Sequence, residues 1–442
     1  MFQVFPNDIG ISFSSALLRK SRIRLFLKTF YASVECAERG LNPFETNLAV
    51  TDLTRGKNAL CLAVSPKLKA QGVRNRCRIS EIPSTIKYIA APPRMQLYIE
   101  YAADIYSVYL DYFDPRDIHV YSIDESFIDA TRYLGVYGMT PRELAKRLMD
   151  EIAERLHIPS TAGIGTNLYL AKIALDITAK HTKDHMGYLT EELYRATLWD
   201  HQPITDFWHV AKGTQARLEH NGMRTMRDVA NADPELLYSL FGVDAELLID
   251  HAWGRESCLI EDIKSYRSRS HSVSFSQILP RDYRFDEART VMREMVLHGC
   301  HELMKRGAIS KRIGILVGYS HDICPAAKGT AKLVSATNVS SLMEPPVLEL
   351  FGRIVRGDTP IRRLAISFDD TVDESCEGYD FFTDYDAVER ERRRERTVLE
   401  LAARYGKNAV LRGTSFMPGA TQRERNEMIG GHRAGYDETG KS

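Results

Sequence analysis

Hydrophobic and polar positions along this 442-residue chain follow two periods, and the switches between them mark out elements. "DIHVYSID" (117–124) alternates as a strand, and "ESFIDAT" (125–131) continues as its partner after a tight turn. "PRELAKRLMDEIAERLH" (141–157) opens with Pro at a helix start and carries apolar residues at helical spacing. A strand is predicted near 23–28, a helix through "FYASVECAER" (30–39), and a long helix near 94–112 after a basic Gly- and Pro-containing region at 40–93. "STAGIG" (160–165) reads as a short strand, and "TNLYLAKIALDITAKH" (166–181) as one helix capped by Thr166 or Asn167. Strands alternating with helices over the first 180 residues imply helices packed on a sheet.

From about 190 to 255 the pattern turns wholly helical, with two short helices expected around Gly213 and another opened by "DPE" (233–235). That resembles a helix–hairpin–helix, whose backbone N–H groups hold a DNA phosphate; a plain helical bundle is the alternative. A serine-rich basic stretch at 256–270 reads as a linker. Residues 271–370 then give strand, helix, strand, strand, helix, strand, a second and smaller α/β unit, and "VERERRRERTVLELAARYG" (388–406) is a charged helix in the tail.

Composition narrows the class. With 44% hydrophobic and 27% charged residues the chain has the make-up of a soluble globular protein, and its length suggests three or four domains. No run of about 18 apolar residues predicts a membrane span. The first basic residues follow the N-terminal apolar patch instead of preceding it, so no export signal is expected. The seven cysteines form no CxxC and no Cys/His cluster, which points to a reducing cytoplasm and away from structural zinc. Net charge is zero, yet charge is segregated: 65–80 holds five basic residues and no acid, 264–281 holds four and no acid, and acids gather at 367–380. Two acid-free runs suit phosphate contacts, with solvated faces as the plain alternative.

The candidate chemistry lies in "YSIDESFIDA" (121–130), where Asp124 and Glu125 stand side by side among mostly apolar or small residues. "FYASVE" (30–35), "SIDESF" (122–127), "AGIGTNLYLAKIA" (162–174) and the helical segment fall in an order and spacing that resemble the Y-family DNA polymerases, with UmuC-type translesion enzymes as the nearest look. The likeness covers about residues 27–370, and "TQRERNEMIGGHRAG" (421–435) resembles the tail of the Gram-positive UV-damage repair branch.

The resemblance implies an α/β multidomain right hand. It has a ferredoxin-like palm (27–40 and 94–188), small fingers (41–93), a helical thumb with the helix–hairpin–helix (189–256), a linker (257–270), an α/β little finger (271–370) and a tail (371–442). Its implied ligands are primer–template DNA, a deoxynucleoside triphosphate and two Mg²⁺ ions. Such ions bridge the primer hydroxyl and the triphosphate and take oxygen ligands. By resemblance Asp124 would ligate both ions, Glu125 one of them, and Leu27 could give a backbone carbonyl. Tyr31 would be the aromatic gate against a ribose 2′-hydroxyl, Phe30 its sugar-packing neighbour, and Lys69 and Lys180 the triphosphate contacts. A solvated side chain is the plain alternative for each lysine, and Pro66 stands where the family usually has a tyrosine. A sliding-clamp contact is implied at "GYDFF" (378–382), through Tyr379, Phe381 and Phe382.

One position departs from the pattern. The family's first-strand aspartate, five residues before the gate, is Phe26 here, and residues 1–26 do not resemble the family. An upstream frameshift or recombined start, an evolved non-catalytic polymerase-like protein, and an active enzyme with an unusual site are the three explanations. Two functions follow: template-directed synthesis across damaged bases, or a DNA-binding scaffold of polymerase shape. Whether the chain is an enzyme turns on Phe26.

Overall fold

Strand β1 (Arg22–Leu27) runs through the centre of a five-stranded sheet. Its alternation fits that place: Ile23, Leu25 and Leu27 are buried on one face, and Arg22, Arg24 and Phe26 share the other. The computed structural model describes residues 21–56, 58–267, 271–320, 323–378 and 383–435. It divides into two compact units, Met1–Tyr266 and Arg267–Ser442. The expected clamp anchors Tyr379, Phe381 and Phe382 lie outside the described residues.

In the first unit β1 leads to α1 (Phe30–Ala37). Then β2 (Leu48–Thr51), β3 (Cys61–Val64), α2 (Pro66–Ala70) and β4 (Ile89–Ala91) follow, the strands forming a separate sheet in the order β3-β2-β4. Next come α3 (Met95–Leu110), β5 (Ile118–Ser122), β6 (Glu125–Asp129), α4 (Tyr133–Tyr137), α5 (Pro141–Leu156), β7 (Ser160–Gly165), α6 (Leu168–Ile173) and β8 (Met186–Leu189). The main sheet has the order β5-β6-β1-β7-β8, with β1 antiparallel to both neighbours.

Helix α5 forms as its sequence dictates. Thr140 and Glu143 make a reciprocal capping box, Pro141 opens the first turn, and His157 ends the helix in the left-handed region at φ 59°. Its buried Leu144, Leu148 and Ile152 form one stripe against the sheet face that carries Ile23 and Leu25.

The opposite face receives α6. Asn167 caps it, its side chain accepting from Leu170 N at 2.8 Å. The helix expected over 166–181 is present from Leu168 to His181, but it changes pitch: α6 (Leu168–Ile173) runs without a gap into a wide turn at Ala174–Thr178 and then a tight turn at Ala179–His181, with right-handed helical angles at each junction. The cause is close approach. A Cβ on Gly163 or Gly165 would lie 2.2 Å from backbone atoms of Ala171, and one on Gly187 would lie 2.1 Å from Ala174 O. Backbone meets backbone there, and the chain re-pitches over the neighbouring strands.

The helical segment holds α7 (Glu191–Thr197), α8 (Lys212–His220), α9 (Met226–Asn231), α10 (Pro234–Phe241) and α11 (Asp244–Trp253). Gly213 is not a joint, contrary to expectation: it lies in the first turn of α8. The chain reverses after His220, where Gly222 takes φ 80° and Met223 N donates to Leu218 O. Thr225 with Asp228 caps α9, and Asp233 caps α10. The expected linker is also corrected, because it contains α12 (Ile260–Ser265). Ile260 is buried with Phe127, Leu168 and Ala171, which pins the segment to the main sheet.

The second unit begins with β9 (Val273–Tyr283) and α13 (Phe285–Lys305). It continues through β10 (Ala308–Tyr319), β11 (Ala327–Thr337), α14 (Ser340–Ile354), β12 (Ile361–Asp369) and α15 (Tyr385–Tyr405). Its antiparallel sheet, in the order β11-β10-β12-β9, packs Ile313, Ile315, Leu364 and Phe368 against Val291 and Met295 of α13 and Val347 and Phe351 of α14. The charged α15 docks through buried Arg392, paired with Glu374 at 3.1 Å, Glu389 at 2.8 Å and Glu377. Farther along, the buried Glu294 carboxylate accepts from Thr421 N at 2.8 Å and Gln422 N at 3.1 Å.

The glycine contacts give a test. Gly165→Ala is expected to destabilise the chain by about 3 kcal/mol, because backbone cannot yield as a flexible side chain does. Gly213→Ala, helical with nothing within 4 Å of the new Cβ, is expected to be neutral or stabilising. Urea denaturation of the two variants beside the parent reads the difference.

Candidate active site

The hairpin separates the two neighbouring acids. Ser122 pairs with Glu125 across β5 and β6, which leaves Ile123 and Asp124 as the two-residue turn. Asp124 Oδ1 accepts from Ser122 Oγ at 2.7 Å, and its carbonyl accepts from Leu27 N at 2.9 Å, tying the turn to the end of β1. Glu125 is the first residue of β6 and lies directly across from Phe26. Both acids are half-buried.

Beyond β1, Thr29 takes φ 48° and α1 starts at Phe30. Phe30 is buried, whereas Tyr31 is half-buried and stacks on Tyr98 with ring centroids 4.6 Å apart. Tyr98 Oη donates to Glu35 Oε1 at 2.7 Å. The fully buried Glu35 also takes Arg94 Nε at 3.0 Å and Nη2 at 2.8 Å, with Arg39 as a further partner. Burial alone would raise the Glu35 carboxyl, but the hydrogen bonds from Arg94, Tyr98 and Arg39 prevail and hold it below its ordinary range. The Tyr31 hydroxyl is raised by burial first and then by the charge of Asp124, with Arg76 acting in the opposite sense.

Lys69 is exposed on α2, where buried Pro66 opens the helix. The Lys28 ammonium, over the Phe44 ring at 5.4 Å, is lowered by burial and then by Lys69; α2 meets the same segment where Lys67 N donates to Pro43 O at 3.2 Å. Lys180 is exposed on the tight turn that follows the wide one. Sequence reasoning missed Arg76 and Lys28. The signal for Arg76 was its place in the acid-free basic run, and for Lys28 its position three residues before Tyr31.

It also missed the groups that hold Glu125. Arg24 is fully buried on β1, and its Nη2 pairs with Glu125 Oε2. Its guanidinium lies over the rings of Phe127 at 4.0 Å, Tyr121 at 4.5 Å and Trp208 at 5.9 Å. Burial pulls this guanidinium down to about 10, against the raising influence of Asp176, Tyr121 and Asp124. Lys172 Nζ on α6 lies 3.3 Å from Glu125 Oε1 and 2.9 Å from Asp176 Oδ2. Its ammonium is lowered by burial first and by Arg24 next.

The residues present do not fit a pair of divalent ions. Phe26 brings a ring where an oxygen is needed, Leu27 can offer only backbone, and Glu125 has both oxygens engaged by cationic side chains. Among the described residues no three His, Cys, Asp or Glu side chains converge as a metal-binding group.

A family model described as impB/mucB/samB family matches residues 25–176, and the model of that family's C-terminal domain matches residues 270–380. Together the two cover more than half of the chain. UvrX of Bacillus subtilis (strain 168), a protein named for UV-damage repair, is 29% identical over 425 residues, spanning 94% of this chain and 98% of that protein. DNA polymerase IV 2 of the same organism is 28% identical over 413 residues, spanning 92% of this chain and 97% of its own. Among solved structures, a Y-family DNA polymerase chimera aligns with TM-score 0.61 and 21% identity, covering 80% of this chain and 99% of the chimera. That likeness shows the fold.

The Glu35 network predicts an acid-side dependence. A carboxyl held below its ordinary range contributes stability that is complete above pH 4.5 and is lost as pH falls through its lowered folded value. Glu35→Gln is expected to cost about 3 kcal/mol near neutral pH, because Arg94 loses its buried partner. The variant's stability should fall less steeply below pH 4.5 than the parent's, as read by denaturant titrations along a pH series.

Proposed function

This chain belongs to the Y family of DNA polymerases, of the UmuC type, and we propose that it serves template-directed DNA synthesis across damaged bases. The observation that carries this reading is the tie between the hairpin turn and the strand that leads into α1: Leu27 N donates to the Asp124 carbonyl at 2.9 Å, and Tyr31 stands four residues on, in the first turn of α1. In this reading primer–template DNA and a deoxynucleoside triphosphate meet at the β5–β6 turn. The Tyr31 ring, braced by Tyr98, lies against the sugar and excludes a ribose 2′-hydroxyl, with Phe30 packed behind it. Lys69, with Lys28 and Arg76, supplies positive charge for the triphosphate, and Lys180, on the tight turn past α6, adds to it. The helical segment Glu191–Trp253 would grip duplex backbone through helix-start N–H groups.

The polymerases of this family depend on divalent metal, and Asp124 is the carboxylate here most available to one. A second reading, a DNA-binding scaffold with impaired chemistry, is favoured by Phe26. Its DNA contacts would be the same. No helix among the described residues is long and apolar enough to cross a membrane. All seven cysteines are free thiols, which supports a cytoplasmic setting as part of the same proposal.

Primer extension with Mn²⁺ on templates carrying an abasic site tests the function. Slow extension is expected from the parent chain, and Phe26→Asp should raise the rate by at least about 10-fold, given that losing a mere supporting contact of a metal ligand costs 10–100-fold. Tight DNA binding with no extension by either protein would leave the scaffold reading in its place.

The proposal includes docking on the sliding clamp through Tyr379, Phe381 and Phe382, which lie outside the described residues. Capture of the chain on immobilised clamp is expected to fall at least about 10-fold on Phe381→Ala with Phe382→Ala, since aromatic anchors dominate such contacts. Undiminished capture would remove that part.

A further inference from the structure

Arg24 and Phe26 stand on the same face of β1, two residues apart. Phe26 removes an oxygen from the site. Arg24 adds a charge to it. The guanidinium is fully buried, ringed by Phe127, Tyr121 and Trp208, and Nε and Nη1 make no hydrogen bond. Its carboxylate partner is Glu125. A buried cation so placed depends on that carboxylate, because neither water nor the aromatic faces can replace a full negative charge. Lys172 approaches Glu125 from α6 as a second cation, at 3.3 Å from Oε1. A divalent ion arriving at Glu125 would meet two positive side chains and would have to draw the carboxylate away from both.

We propose that Arg24 is a built-in counter-ion occupying the charge role of a divalent cation at Glu125, so that the palm hairpin of this chain is balanced by its own side chains. Glu125 is then a positioning residue for the folded sheet. Only Asp124 remains to present a carboxylate outward from the turn. Phe26 and Arg24 act as a pair: restoring a carboxylate at position 26 while Arg24 remains places a new acid on the face that already holds a guanidinium, where part of its charge is taken up internally. The full gain in metal binding requires both positions to change. The functional meaning rests on the polymerase reading, but the physical claim does not.

The test uses the full chain in two measurements that do not involve DNA synthesis. The first is melting in buffer with chelator. Carboxylates gathered to hold an absent metal repel one another, so removing one raises Tm. A carboxylate that pairs a buried guanidinium does the reverse, and Glu125→Gln is expected to lower Tm by about 6 °C or more. An unchanged or raised Tm would overturn the proposal. The second is Mn²⁺ alone, titrated with free ion followed by electron paramagnetic resonance. Binding by the parent and by Arg24→Met is expected to be weak, with Phe26→Asp tighter. Arg24→Met combined with Phe26→Asp should be at least about 10-fold tighter again than Phe26→Asp alone, as expected of coupled neighbours. Equal affinity of the single Phe26→Asp variant and the double variant would also overturn it. Should Arg24→Met fail to fold, the Glu125→Gln melting shift decides. Absence of primer extension by Phe26→Asp would count against the polymerase reading while leaving both measurements, and the counter-ion, intact.

Discussion

A fully buried guanidinium in the middle of a sheet cannot stand without a carboxylate beside it, and the Arg24–Glu125 pair sets the terms for everything around the first sheet. Removing one partner of such a pair costs on the order of 3–5 kcal/mol, because the other is left buried and charged. The pair is made possible by register. Arg24 lies across from Phe127 and Phe26 across from Glu125, so the guanidinium can reach diagonally along the same face to the carboxylate. Lys172 arrives because α6 is pressed onto Gly163 and Gly165, the β7 partners of Arg24 and Arg22. Close backbone approach and charge balance are thus two consequences of one arrangement. Without the glycines α6 could not come near enough for Lys172 to share Glu125.

Much of this was legible beforehand, and the reasons are local. The β5–β6 hairpin follows from the alternation of "DIHVYSID" ahead of a two-residue turn, and α5 from its capping box, its proline and one apolar stripe. The strand–helix order of the second unit follows in the same way from period alone. What escaped is tertiary. Nothing in "NLYLAKIALDITAKH" signals that the helix changes pitch after Ile173, because the cause lies in the glycines of β7 and β8. The short α12 hides inside a serine-rich run, since its stability comes from Ile260 docking beside Phe127 rather than from propensity. Gly213 suggested a joint, but an early glycine in a helix needs no bend.

The site itself divides along the same line. The placement of Asp124 and Glu125 at the hairpin, and of Phe30 and Tyr31 at the start of α1, was readable because each belongs to a motif with fixed spacing. Arg24 was not, because "RIRLF" alternates charge with apolar residues as a solvent-facing strand does. Only the sheet order shows that the polar face is covered by α6 and Trp208. Phe26 announced a missing oxygen, and the structure adds what a missing ligand alone does not predict: a cation seated beside the acid that remains.

Tyr31 and the acid pair are governed by different supports. Tyr31 owes its place to Tyr98 on α3, which is fixed by the buried Glu35 of α1 and its arginines, Arg94 just before α3 and Arg39 just past α1. None of these groups touches Arg24 or Lys172. The support of the Tyr31 ring is therefore built on α1 and α3, while the charge balance of the hairpin is built on β1 and α6. A change in β1 can rewrite the electrostatics at Glu125 and leave the Tyr31 platform standing. That separation lets the chain hold a well-braced Tyr31 ring together with a hairpin whose Glu125 faces a phenylalanine on the first strand.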